Sequence, residues 1–123
     1  MKTPNTTAAI VLAAGASTRM RGGRHKLLLP FGDRPVLARV LDAALASRAR
    51  PIVLVLGHEA ERVRAHIPTY VGHPDIIIVD NPAYLQGMST SMKLGLQTLI
   101  DYDYTKSGSG SVDSALFLTG DQP

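Results

Sequence analysis

Apolar residues come in short, widely spaced runs along this chain, and their spacing alternates between continuous and helical. Ala8 to Leu12 is an unbroken apolar run containing Ile10 and Val11, short enough for a central parallel strand buried on both faces. Residues 13–34 then lose all periodicity and read as a long loop, rich in glycine and basic groups, with Leu27-Leu28-Leu29-Pro30 as an apolar anchor in its second half. Connections beyond about 12–15 residues are usually functional or disordered, and the anchor favours function. Pro35 opens a helix at a position that tolerates its missing N–H. Val36, Leu37, Val40, Leu41, Ala44 and Leu45 then recur at helical spacing and give an apolar face. Pro51 precedes a second buried strand, Ile52 to Leu56, which Gly57 closes. The pattern predicts a short helix from His58 to His66 with its charges outward, and a third strand from Ile76 to Val79. Asn81-Pro82 breaks the chain, and Ser89 is placed to cap a helix from about Thr90 to Tyr102. Lys106 to Asp113, centred on Ser-Gly-Ser-Gly, reads as a flexible connection, and Ala115 to Leu118 as a fourth strand running into Thr119-Gly120-Asp121-Gln122-Pro123.

Strands alternating with helices predict an α/β domain with a mainly parallel sheet. Ligands of such sheets bind beyond the carboxyl ends of the strands. Three polar segments stand at those ends: the loop after strand one, the Asn81 segment and the Gly120-Asp121 turn. The architecture alone predicts that they converge.

Composition narrows the picture. A chain of 123 residues is near the usual size of one domain, and an apolar fraction of 45% is enough for a core. With no cysteine, neither a disulfide framework nor a thiolate metal site is available. Met1 to Thr7 lacks the apolar stretch of a secretory signal, and no run approaches the roughly 18–20 residues that span a bilayer. The expectation is a soluble, cytoplasmic protein with no membrane partner. Net charge is only +3, but Arg19, Arg21, Arg24, His25 and Lys26 fall within one loop. Few aromatics interleave with them, which argues against a stacking platform for nucleic acid.

The stretch from Ile10 to Lys26 carries the most chemistry. Its small residues allow a ligand close to the backbone, and the basic groups that follow supply charge and donors for a polyanion, phosphate above all. Two common phosphate fingerprints are absent: the G-x-x-x-x-G-K-[ST] order, and a G-x-G-x-x-G directly after the strand. Neither an ATPase P-loop nor a dinucleotide oxidoreductase is therefore expected. Leu12-Ala13-Ala14-Gly15-Ala16-Ser17-Thr18-Arg19-Met20, closing with Lys26, instead resembles the L-A-x-G-x-S-x-R-M-G-x-x-K signature of the MobA-like nucleotidyltransferases. It departs from that signature in the longer spacer Arg21-Gly22-Gly23-Arg24-His25. Leu27-Leu28-Leu29-Pro30, Gly57-His58, Asn81-Pro82, Gly87-Met88-Ser89-Thr90-Ser91 and Gly120-Asp121-Gln122-Pro123 look like the molybdenum-cofactor cytidylyltransferase (MocA-like) branch. The likeness runs from about Ala8 to Pro123.

The resemblance implies a three-layer α/β/α Rossmann-like fold. It also implies transfer of CMP from CTP to the phosphate of molybdopterin, a phosphate-bearing pterin cofactor, with release of pyrophosphate. The acceptor phosphate attacks the α-phosphorus directly, so the task is charge neutralisation and alignment rather than base catalysis. By the family pattern Arg19 and Lys26 hold the triphosphate, and Asp121 ligates Mg²⁺, a hard cation that prefers oxygen ligands. Backbone at Leu12, Ala13, Ala14 and Gly15 faces base and ribose, and Asn81 and Ser89 line the nucleotide pocket. Ala14, where the guanylyl branch tends to have glycine, favours CTP. Contact with a molybdoenzyme or its chaperone belongs to the same implication. Relatives continue well beyond the Gly-Asp turn, so the resemblance further implies a C-terminally truncated chain, the nucleotide-binding part of a longer enzyme.

Plainer roles stand beside these. Asp121 is also a turn former next to Gly120, Ser89 also a helix cap, Asn81 also a turn shaper, and Arg21 and Arg24 read as surface groups. Three other functions share much of the pattern: a guanylyltransferase of the same pathway, a sugar- or polyol-phosphate nucleotidyltransferase, and a non-catalytic nucleotide-binding domain.

Overall fold

The continuous apolar runs become neighbouring strands of one parallel sheet. The computed structural model describes residues 6–14, 30–31, 34–107 and 112–119. In chain order the elements are β1 (Thr6–Ala13), β2 (Pro30–Phe31), β3 (Arg34–Pro35), α1 (Val36–Ala46), β4 (Ile52–Leu56), α2 (Ala60–His66), β5 (Ile76–Asp80), a 3₁₀ turn (Tyr84–Gln86), α3 (Met88–Ser107) and β6 (Val112–Thr119). The sheet order is β5-β4-β1-β6, and every pairing in it is parallel. β2 and β3 form a separate antiparallel pair.

Alternation along the strands divides the core in two. Ala9, Val11 and Ala13 of β1, with Ile52, Leu54 and Leu56 of β4, pack beneath α1 and α2 through Leu37, Leu41, Val63 and Ile67. Ala8, Ile10 and Leu12, with Val53 and Val55, face the other way against α3 through Leu99 and Met92. Helices therefore cover both faces, giving the expected three-layer α/β/α arrangement. All five residues of β4 are buried, as a central parallel strand requires. α3 approaches the sheet at Gly95, where a Cβ would stand 2.6 Å from Ile10 Cγ2.

The last turn of α1 is closed by a side chain from outside it. The Arg50 guanidinium donates to the carbonyls of Leu45 at 2.8 Å and Ala49 at 2.6 Å, and it pairs with Asp75 at 3.2 Å. The carbonyls left over at a helix end are satisfied in this way.

Several predicted boundaries move. Pro30–Phe31 pairs with Arg34–Pro35, so the end of the long 13–34 segment is a short hairpin rather than loop, and Pro35 precedes α1 instead of opening it. α2 starts at Ala60, not His58, because Glu59 sits at φ 52°, ψ 43°, a left-handed conformation that no right-handed helix includes. β6 extends beyond the apolar core of its sequence because Val112 and Ser114 pair with Thr6 and Thr7 of β1. The Thr7 and Ser114 hydroxyls hydrogen-bond to each other at 2.9 Å. α3 is longer than predicted at both ends, and Ser89 lies inside its first turn rather than capping it.

Candidate nucleotide site

The direction of chain progression across the sheet reverses once. From β1 the chain steps outward to β4 and β5, and it then returns to add β6 on the opposite side of β1. Such a reversal opens a crevice beyond the carboxyl ends of the two strands that flank it. Here those strands are β1 and β6, with Leu12 in register with Thr119. Of the predicted site residues, Gly15, Arg19 and Lys26 follow β1 and Asp121 follows β6; all four lie outside the described residues.

Leu12, Ala13 and Ala14 are all buried, their side chains turned into the two halves of the core. Leu12 and Ala13 are part of β1, paired with Val55 and Leu56 of β4. What they can offer a ligand is therefore backbone at the strand end, and Ala14 is where the chain leaves the sheet. The Ala14 carbonyl accepts the His58 N–H at 3.1 Å, joining the ends of β1 and β4. Gly57 makes this junction possible. A Cβ there would stand 2.7 Å from Tyr84 Cβ and 2.8 Å from the Ala14 oxygen, so three chain segments meet with no room for a side chain between them. Tyr84 packs beside the His58 ring, with centroids 5.8 Å apart and planes tilted by 58°.

Asn81 and Ser89 stand at the same edge in opposite circumstances. Asn81 is buried and Ser89 exposed. The Asn81 backbone N–H reaches the Leu56 carbonyl at 2.6 Å, extending the β4–β5 ladder past the strand ends. Its side-chain amide donates to Thr90 Oγ1 at 2.9 Å and to Ser91 Oγ at 2.8 Å, while its Oδ1 accepts the Ala83 N–H at 2.9 Å. Thr90 Oγ1 in turn donates to the carbonyls of Gly87 at 2.7 Å and Ala83 at 3.1 Å. Every polar atom of the Asn81 side chain is thus engaged within the protein.

Sequence reasoning paired Asn81 with Ser89 and missed Thr90 and Ser91, the residues Asn81 bonds. Both belong to the Gly87–Ser91 segment already singled out, but the bonds span nine and ten residues, beyond any local pattern. Tyr84 carried no signal at all. Among the described residues no cluster of three acidic, histidine or cysteine side chains could hold a metal ion. Asp80, at the end of β5, is paired with Arg64 at 2.9 Å. No helix among the described residues is long and apolar enough to cross a membrane.

A parallel sheet in this order, covered on both faces and with its reversal beside β1, is an α/β nucleotidyltransferase fold. Residues 9–123 match the MobA-like NTP transferase domain, and the chain belongs to that family. Similar solved structures are a nucleotidyl transferase from Methanothermobacter thermautotrophicus and Rv0371c from Mycobacterium tuberculosis. The first is 27% identical with a TM-score of 0.74 and the second 29% identical with a TM-score of 0.73. They are matched over 98% and 99% of this chain, and over 52% and 55% of their own. The inositol-1-phosphate CTP transferase from T. maritima shares the fold, at 21% identity and a TM-score of 0.63. Among curated proteins, the bifunctional protein GlmU of Mycolicibacterium paratuberculosis is 36% identical over 108 residues, 85% of this chain and 21% of GlmU. The chain therefore spans about half the length of the solved relatives and a smaller part of GlmU.

Proposed function

We propose that this chain is the nucleotide-binding part of a nucleotidyltransferase that moves CMP from CTP to the phosphate of molybdopterin, releasing pyrophosphate. The observation that carries the reading is the adjacency of β1 and β6. It supports the reading because the cationic segment and Gly120-Asp121 follow, in sequence, the carboxyl ends of two neighbouring strands. Arg19 and Lys26 would bind the triphosphate and offset charge on the departing pyrophosphate, using the planar fork of one and the point charge of the other. Asp121 would hold a divalent cation, Mg²⁺ in this reading. Bound there, it would neutralise phosphate charge. Backbone from Ala13 to Gly15 would approach the nucleoside, which the small side chains allow. Alignment of the acceptor phosphate with the α-phosphorus then supplies most of the rate, without a protein nucleophile. CTP is favoured over GTP by Ala14 and the Gly87-Met88-Ser89 segment, on subfamily resemblance.

A second reading keeps this chemistry and changes the acceptor to a sugar- or polyol-phosphate. It draws on the similarity to GlmU. Ligand-dependent melting separates the nucleotides, because a ligand that binds only the folded state stabilises it by RT ln(1 + [L]/Kd), so at equal concentration the tighter ligand raises Tm more. CTP with Mg²⁺ is expected to raise Tm more than GTP does. An equal or larger response to GTP overturns the base assignment. Pyrophosphate release with molybdopterin, compared with sugar-1-phosphates, then decides the acceptor.

A further inference from the structure

We infer that Asn81 is a positioning residue for the nucleoside half of the substrate: it never touches the ligand but fixes the exposed Gly87–Ser89 tip from beneath, through Thr90 and Ser91. The inference rests on the nucleotide-binding reading above and adds to it the device that holds one wall of the site.

Three observations carry it. The first is charge. Between Asp80 and Lys93 the chain has no ionisable group except Tyr84 and offers only neutral donors, carbonyls and apolar side chains. Arg19, Arg21, Arg24 and Lys26 are instead concentrated after β1, and Asp121 follows β6. A triphosphate is drawn toward the charges. The Asn81–Met92 wall, whose Tyr84 packs against Gly57 and beside His58, carries no formal charge of its own and suits the uncharged part of the same molecule.

The second is exposure. Leu85 and Met88 are 76% and 58% exposed and Ser89 is exposed as well, whereas Asn81 and Ser91 beneath them are each 4% exposed. The tip turns on Gly87 at φ +113°, a backbone angle that L side chains rarely adopt. An exposed turn of this kind has few apolar contacts of its own to hold it in one place.

The third is the direction of the hydrogen bonds. A threonine hydroxyl has a single proton. Thr90 directs its proton to the Gly87 and Ala83 carbonyls, so toward Asn81 its oxygen can only accept. Asn81 must then turn its NH₂ group to Thr90 and Ser91 and its Oδ1 to Ala83, and this is the arrangement found. Asparagine meets the requirement. Aspartate would keep the size and the bond from Ala83, but it has no proton to give. The Thr90 proton would be drawn to the carboxylate, and the hydroxyl bond to the Gly87 carbonyl would be lost, leaving that carbonyl the Thr90 N–H at 3.2 Å.

The test compares nucleoside triphosphate with inorganic tripolyphosphate, which carries the phosphates and lacks the nucleoside. Both are titrated with Mg²⁺ into the full chain, wild type, N81D, T90V and the double variant, with thermal melts alongside. If Asn81 positions the nucleoside wall, N81D and T90V each weaken CTP binding about tenfold, the worth of one or two hydrogen bonds, and change tripolyphosphate binding less than about twofold. The double variant is then no weaker than either single one, since both cut the same link. Equal losses for the two ligands, or no loss for CTP, overturn the inference. If N81D does not fold, T90V alone is held to the same comparison. A wild-type chain that binds CTP while N81D and T90V bind it equally well overturns this inference alone, while a wild-type chain that binds no nucleoside triphosphate overturns the nucleotide-binding reading and this inference with it.

Discussion

Gly57 has a carbonyl, a β-carbon and a methyl within 3 Å of where its own Cβ would stand. None of the three is the far end of a flexible side chain. Gly57→Ala must therefore push Ala14 and Tyr84 apart, at a cost of about 1–3 kcal/mol typical of overpacking. Urea denaturation is expected to show that loss, and CTP binding to weaken with it because Ala14 is where the chain leaves β1 for the candidate site. Gly57-His58 was legible in the sequence as a strand end, since glycine after an apolar run is a terminator. Its steric role was not, because the atoms that exclude a side chain come from residues 43 positions earlier and 27 later. The same holds for Asn81. Its residue type and its place before Pro82 suggested a turn, and the bond from the Ala83 N–H to Oδ1 forms one; the amide's two donor bonds depend on where α3 begins.

Strand boundaries followed the apolar pattern where packing decides them and departed from it where pairing does. β4 is Ile52–Leu56 as read, because every one of its residues is core. β6 is longer than its apolar stretch, because Ser114 pairs with Thr7 at the sheet edge without needing burial. α3 crosses the sheet at Gly95, and a substitution there sets two effects against each other. Alanine gains roughly 1 kcal/mol of helix propensity over glycine. Its Cβ would, however, stand 2.6 Å from Ile10 Cγ2, a branched methyl on a fully buried side chain with nowhere to turn, and 3.4 Å from Val55 Cγ2. Overpacking of about 1–3 kcal/mol is the larger effect, so Gly95→Ala should be destabilising on balance. A rise in the urea midpoint would show that α3 can lift from the sheet more easily than this packing implies.

At the scale of the whole molecule, a mainly parallel sheet was readable from the alternation of runs, because continuous apolar strands need two covered faces; the three-layer arrangement came with the family resemblance, and the strand order was not legible. The candidate site was read as three segments on one edge, of which the Asn81 segment lies within the described residues. Its cationic and acidic members lie outside the described residues, so their roles remain part of the proposal. β6 borders the sheet, pairing among the described strands with β1 alone, and Leu116 on it is 53% exposed. A border strand carrying an exposed apolar side chain is a template for association. The 123-residue chain is expected to sediment with a weight that grows with concentration, and Leu116→Lys to reduce that growth. An unchanged profile would locate the association elsewhere.

Among the described strands the last along the chain, β6, pairs with the first, β1, and this sets the order of their assembly. A nascent polypeptide that has emerged only as far as Ser107 already holds β1, β4 and β5, while the outer side of β1 still waits for a partner. Pairing over that sequence distance is slow compared with the local βα steps. On the proposed reading, capture of a nucleotide would thus report that the chain has been made and folded past β6, and intermediates short of that point would be blind to it.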